Sequence, residues 1–382
     1  SVAVAIAGYA LTPVILGAMG TPPAARAEAV AYLRMIFFAL PFMYFFNYVQ
    51  MAQRGAGDAR TPLYFSMLAV GLDIALNPLL IIGVGPFPKM GIEGSAAATL
   101  VAQATSLALL MAHLYRRRSI LVLEREELSY LRPDPAILRT LIMRGLPMGL
   151  QMIVISSAAI AMISVVNRYG VDTAAGYAAA SQLWTYVQMP AMAVAAAVSS
   201  MAAQNIGARR WDRVDQIARR GVPLGLIATA TPVAIIYVFN RQFLHLFLPE
   251  GAALAIAQHI NFHVMWGFVA FSVTFVLFGV VRANGAVVVP LAMLICSIWL
   301  LRVPLASIGS LYFGPDAIWW SFPTGTCFSA VLATLYYKFG GWRKARLMAE
   351  TAGGEAADTG LSPPAIADEA IAENAEERPA AR

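Results

Sequence analysis

Ten stretches of this chain are apolar and close to twenty residues long, roughly 1–19, 32–53, 62–84, 93–115, 140–166, 174–203, 221–240, 256–281, 288–309 and 315–338. A helix of about 20 residues crosses the hydrocarbon core of a bilayer. Lipid offers no partner to backbone N–H and C=O groups, so only helices and closed barrels span it. These runs are continuous, not alternating as barrel strands are. The expected fold class is an all-α integral membrane protein with ten transmembrane helices. Apolar residues make up 59% of the chain and charged residues 13%, about half the usual charged share. That is too little polar surface to cover a soluble fold of this size. Cys296 and Cys327 both sit inside apolar runs and imply no disulfide framework.

A second feature organises the runs. Arg54-Gly55-Ala56-Gly57-Asp58-Ala59-Arg60-Thr61-Pro62 and Arg282-Ala283-Asn284-Gly285-Ala286-Val287-Val288-Val289-Pro290 share the pattern Arg-x-x-Gly-x-x-x-x-Pro, 228 residues apart. In each, one apolar run ends at the Arg and another begins at the Pro. Gly permits the turn, and Pro suits the first turn of a new helix. The same offset lays 1–19 on 229–247, 32–53 on 260–281, and 62–84 and 93–115 on 288–309 and 315–338. A duplicated membrane protein is expected. The runs at 140–166 and 174–203 find no partner. We therefore expect a four-helix remnant of a first bundle, residues 1–115, and a complete six-helix second bundle, residues 140–340. Two helices would precede Ser1 in the intact repeat; a genuine ten-helix protein is the alternative. Bundles of six insert the same way up, related by a pseudo-twofold axis along the membrane normal.

Loop charge sets the orientation. Alternate connections hold Arg54 and Arg60; Arg116, Arg117, Arg118, Arg125 and Arg132; Arg209, Arg210, Arg213, Arg219 and Arg220; and Arg282. The other connections hold only Arg26, Lys89, Arg168 and Arg241. The first set should be cytoplasmic, with both termini on that side. Residues 116–139 read as a cytoplasmic linker, with a short surface helix over 124–130. Residues 205–220 read as a basic amphipathic stretch with Trp211 at the interface, or as a plain solvated loop helix. The tail 341–382 should be disordered and cytoplasmic; from residue 350 it carries eight acidic and two basic residues.

With these residues in view, the chain resembles the multidrug and toxic compound extrusion family of secondary transporters. The resemblance rests on Arg54-x-x-Gly57-Asp58-x-x-Thr61-Pro62, on Asn77-Pro78-Leu79-Leu80-Ile81 and on Gly91-Ile92-Glu93-Gly94-Ser95-Ala96-Ala97-Ala98-Thr99. It rests also on Gly145-Leu146-Pro147, Gln204-Asn205-Ile206-Gly207-Ala208 and Arg302-Val303-Pro304-Leu305. By that match the chain starts at the family's third helix. The resemblance implies two bundles in a bacterial inner membrane. It also implies export of organic, often cationic, compounds or drugs, driven by inward proton or sodium movement, with no other cofactor and as a monomer.

Asp73 lies near mid-bilayer, where an ionisable group is costly and by default functional. Asn77 is one turn on. The family commonly has Asn then Asp at this pair, and the order here is reversed. Asp73 is the expected cation-coupling residue, with Asn77 its partner; a hydrogen-bonded structural Asp is the alternative. Tyr44 and Asn47, and the i, i+4 pair Thr99 and Gln103, are expected to line a hydrated cavity in the first bundle, or else to bond helix to helix. Gln151 and Arg302 are the candidates in the second. Members of the family with a sodium site in the second bundle use acids on its helices; this chain has no intramembrane acid there, so the resemblance implies coupling in the first bundle, by protons over sodium. Met148, Met152, Met189, Met192, Trp184 and Trp266 could meet varied drugs or simply pack. His259 and His263 share a face without a third ligand, which is weak evidence for a metal.

No P-loop, His-Glu-x-x-His or Gly-x-Ser-x-Gly occurs, so neither an ATP-driven pump nor a membrane hydrolase is indicated, and no enzyme is expected. The basic residues have no aromatic-basic face for nucleic acid. The remaining alternatives are a lipid-linked oligosaccharide flippase of the same superfamily and a transport-inactive fragment.

Overall fold

The structure is a computed structural model, and it describes residues 1–18, 23–83, 88–117, 119, 121–122 and 134–344. Its regular structure is all helical among the described residues. Helices α1 (Val2–Ala18), α2 (Pro23–Gly55), α3 (Arg60–Ile82) and α4 (Ile92–Arg116) pack among themselves, with α4 against both α2 and α3. Helices α5 (Pro135–Val166), α6 (Val171–Gly207), α7 (Trp211–Val238), α8 (Asn240–His245), α9 (Ala252–Val264) and α10 (Gly267–Ala283) follow. Then come α11 (Val288–Ile295), a π-helix (Cys296–Arg302), α12 (Val303–Ser307), α13 (Gly309–Phe313) and α14 (Asp316–Phe339). In this second group α6 and α10 are central. Each packs on the other and on α7; α9 leans on α6, and α14 on α10. The surface helix expected over 124–130 and the tail beyond 344 lie outside the described residues.

Each expected run coincides with a helix, but several differ in extent. Among the described residues, seven helices are long and apolar enough to cross a membrane, or eight if α9 and α10, bent by 50° at their junction, make one span. The expectation of ten also counts α1, which has 17 residues, and α14. The latter is long enough but diluted by Thr324, Thr326 and Ser329. The run at 256–281 is therefore not one straight helix. At its break the backbone tightens, with Phe268 N–H bonded to Met265 O and Val269 N–H to Trp266 O. Pro135 opens α5. The basic stretch 205–220 is likewise no separate element. From Trp211 on it is the first third of α7, with Val214 and Ala218 buried.

Close approach of helices comes from small residues, which let backbones meet in lipid. A Cβ on Gly94 would lie 2.6 Å from Leu80 O across the α3–α4 contact. One on Gly279 would lie 2.7 Å from Ala195 O between α10 and α6. Both copies of the repeated motif form the same helix–turn–helix. Gly57 takes φ +98 and Gly285 φ +77, the left-handed region that glycine tolerates. Among the described residues, bonds tie together the basic connections at 54–60, 205–220 and 282–290, through the last turns of α6 and through residues 342–343. Ser200 Oγ donates to Arg54 O at 2.5 Å, Asn284 Nδ2 to Trp342 O at 2.8 Å, and Arg343 to Asp215 at 2.7 Å.

At the first turn, Asp58 Oδ1 accepts the N–H groups of Arg60 and Thr61, both at 3.0 Å. It thereby satisfies donors that the start of α3 would leave open. Burial opposes ionisation of Asp58, but the bonds from Thr61 and Arg60 outweigh it and hold the carboxyl below its usual range. A carboxyl depressed in this way stabilises the fold above the ordinary carboxylate pKa and ceases to as pH falls through its folded value. Asp58→Ala is therefore expected to cost about 1 kcal/mol near neutral pH. The deficit, followed by thermal unfolding in detergent, should shrink as the pH is taken below the carboxylate range.

Candidate functional site

Asp73 is the one acid deep inside a helix of the first group. It stands 13 residues after Arg60, about 20 Å along α3 at 1.5 Å per residue. Its Oδ1 accepts the Thr99 hydroxyl of α4 at 3.0 Å. The same hydroxyl lies 3.2 Å from Ser95 O. Two of the expected residues are thus brought together. Asn77 does not touch the carboxylate; its Nδ2 donates to the main-chain carbonyl of Asp73 at 3.1 Å. Among the described residues Asp73 has no basic group within salt-bridge distance.

One turn past Thr99, Gln103 keeps its Oε1 buried without a partner among the described residues, and Ser106 does the same with its Oγ. Thr99, Gln103 and Ser106 fall on one face of α4 at i, i+4 and i+7. They run toward the basic end, where the buried Gln53 has both amide atoms unpartnered and Gln50 Oε1 accepts from Ser66 at 3.1 Å. Tyr44 and Asn47 are not part of this cluster. Tyr44 is 58% exposed, and Asn47 Nδ2 bonds Met43 O on its own helix.

The second group holds a cavity of about 390 Å³ between α5, α6, α10, α14 and the π-helix. Pro304 explains the π-helix. It has no N–H for the carbonyl four residues back, and its ring crowds that turn, so the helix widens just before it. Ser297, Ile298 and Arg302, all within the widened turn, line the cavity. The Arg302 guanidinium lies 3.4 Å from the centre of the Phe322 ring. Trp184, Met152 and Met192 also line it, as expected of adaptable side chains, whereas Met148, Met189 and Trp266 do not. Tyr177, Phe268, Thr274 and Ser329 are lining residues that sequence reasoning missed. Trp184 is fixed by a polar relay: Nε1 donates to Asn261 Oδ1 at 3.0 Å, and Asn261 Nδ2 to Asn240 Oδ1 at 2.9 Å.

Gln151 is absent from the cavity wall. It is buried against the second turn, where Oε1 accepts from Arg282 at 2.8 Å and Nε2 donates to Val287 O at 3.2 Å. Arg144 reaches the same turn, donating to Gly285 O at 2.5 Å. His259 pairs with Asp316 at 2.7 Å, and no group of three metal-ligating side chains occurs among the described residues.

Among known proteins, the family MatE matches residues 1–79 and 147–308. The chain belongs to the MatE family. Its first matching stretch ends at Leu79; moved by the 228-residue repeat, that is position 307, one short of the second stretch's end. Probable multidrug resistance protein YoeA of Bacillus subtilis is 36% identical over 348 residues, 91% of this chain and 75% of that protein. Probable multidrug resistance protein YpnP of the same organism is 34% identical over 92% of this chain and 77% of that protein. In fold, a mutant form of the MATE transporter VcmN of Vibrio cholerae superposes with TM-score 0.81 at 19% identity, covering 88% of this chain and 75% of that one. A MOP superfamily transporter from Pyrococcus furiosus gives TM-score 0.81 at 22% identity over the same shares.

Within this MatE transporter, a multipass membrane protein, Gln151 has a structural task. Gln151→Leu strands Arg282 in a buried place and leaves the Val287 carbonyl with the Leu291 N–H. A loss of about 2 kcal/mol is expected, most of it from the unmet charged group. The unfolding temperature in detergent should fall, while the folded fraction keeps its ligand binding.

Proposed function

We propose that this protein exports amphiphilic organic compounds, multiple drugs among them, in exchange for protons taken up at Asp73. The observation that carries the reading is an intramembrane carboxylate with a hydroxyl partner and no counter-ion among the described residues. An ionised carboxylate there is costly unless hydrated, whereas a protonated one is tolerated. Proton binding therefore favours whichever arrangement of the bundles keeps Asp73 driest, and proton release favours the other. The unpartnered polar atoms of Gln103, Ser106 and Gln53 give water a place to follow α4 toward the basic end. A proton needs one carboxylate only. Sodium would need several converging oxygens, and among the described residues Thr99 is the one side chain bonded to Asp73.

On this reading the two helix groups are bundles related about the membrane normal, and the chain works as a monomer in a bacterial inner membrane. The basic end and both termini lie in the cytoplasm, following the positive-inside rule. Relatives named as multidrug resistance proteins support export of drugs over a flippase for lipid-linked sugars.

The test is transport in proteoliposomes under an imposed proton gradient, read with a fluorescent dye substrate. Asp73→Asn is expected to abolish gradient-driven movement while the unfolding temperature is kept. Thr99→Val should slow it and leave some coupling. A sodium gradient alone should drive nothing. Native rates in the Asp73→Asn protein would remove that residue from the mechanism.

A further inference from the structure

The second-bundle cavity carries a single charge. Arg302 is the sole charged residue among those lining it, and no carboxylate faces it. Its Nε is buried without a hydrogen-bond partner, and no salt bridge reaches the guanidinium among the described residues. One face of the group is taken by Phe322. Gly325 lets the stem lie close, since a Cβ there would be 3.2 Å from Arg302 Cβ.

Two hydroxyl-bearing residues, Thr274 and Ser329, also line the wall. They are 2% and 6% exposed, and Thr274 Oγ1 and Ser329 Oγ are buried without a hydrogen-bond partner among the described residues. Most Ser and Thr hydroxyls in this fold bond a carbonyl one turn back, as Thr326 and Ser297 do in the same cavity. Thr274 and Ser329 are left free to donate elsewhere.

A guanidinium can only donate, and a hydroxyl can donate as readily as accept. A buried cation without a counter-charge is costly until something supplies one. We propose that this cavity binds the anionic group of an amphiphilic compound, a carboxylate or a phosphate, at Arg302, with Thr274 and Ser329 as further donors. Trp184, Phe268, Phe271 and Met152 supply an apolar wall for the rest of the molecule. An organic cation would find no carboxylate here and would be repelled by Arg302. This names the charge that the cavity accepts, and it rests on the export reading only for the claim that the bound compound is carried.

The test is calorimetric titration of the full-length protein in neutral detergent, without a gradient. Three probes are compared: naphthalene-2-carboxylate, the trimethylammonium analogue of the same ring, and dioctanoyl phosphatidic acid. At least one anion is expected to bind about tenfold or more tightly than the cation. Binding of the naphthoate alone assigns a free organic anion; binding of the phosphatidic acid alone assigns a lipid headgroup. Arg302→Gln should erase the preference. Should that variant fail to fold, the near-isosteric Thr274→Val with Ser329→Ala decides, with about a fivefold weakening of anion binding expected. A cation that binds as well as either anion, anions that do not bind, or anion affinity unchanged in the folded variants overturns the proposal. Because no gradient is present, such a failure leaves proton coupling at Asp73 standing.

Discussion

In hydrocarbon a polar group that lacks a protein partner has no water to turn to. Most of this molecule's side-chain chemistry answers that constraint. Thr12 bonds Gly8 O, Thr229 bonds Gly225 O and Thr334 bonds Ala330 O, each one turn back on its own helix. Arg282 is met by Gln151, and Trp184 by Asn261. Against this background two groups stand out. Asp73 has one hydroxyl and no counter-ion among the described residues, and Arg302 has an aromatic face and no counter-ion among them. Both sit well inside long apolar helical runs, where an unmatched charge costs most. Groups that are expensive to keep and not used for packing are the ones through which a membrane protein handles ions and ligands.

The repeat relates these two charges. Position 73 moved by 228 residues is 301, the neighbour of Arg302. In the repeat's numbering the two helices carry opposite charges one position apart, each a few residues from a proline, Pro78 in one and Pro304 in the other. The two turns also differ. Gly285 and its neighbours are locked by Arg144, Gln151 and the carbonyl of Trp342. The matching turn at Gly57 is held by the other helix group, through Ser200 and Gln204 of α6.

Helix positions were legible because a run of about twenty apolar residues has one cheap conformation in lipid. Helix ends were less so. Trp211 to Arg220 is polar enough to look like a loop, yet its buried Val214 and Ala218 continue α7. The bend between α9 and α10 carries no proline and could not be read from hydropathy. The π-helix could have been anticipated from Pro304, whose missing N–H disturbs the preceding turn. At the site, Asp73 was legible as a lone acid in an apolar run, and Thr99 as the polar face opposite. Gln151 was misplaced because a lone amide in such a run fits a cavity or a distant turn equally well; its partner Val287 is 136 residues away. Thr274 and Ser329 were invisible for the opposite reason. A hydroxyl in a helix normally bonds its own backbone, and only coordinates reveal one that does not.

The contact between the two helix groups sets the scale of any movement. At the basic end it includes the 2.5 Å bond from Ser200 to Arg54 O and a long 3.5 Å bond from Gln204 to Gly55 O. Each is worth about 1 kcal/mol net. The interiors of the groups are far more costly to disturb, because small residues there bring backbones into direct contact. Rigid groups joined by weak contacts favour motion between them over motion within them. A tenfold difference in proton affinity between two arrangements of the bundles supplies about 1.4 kcal/mol. On the proposed proton coupling, that is of the order of one of the two bonds named at the basic end, so a single protonation would bias the arrangement without unfolding any helix.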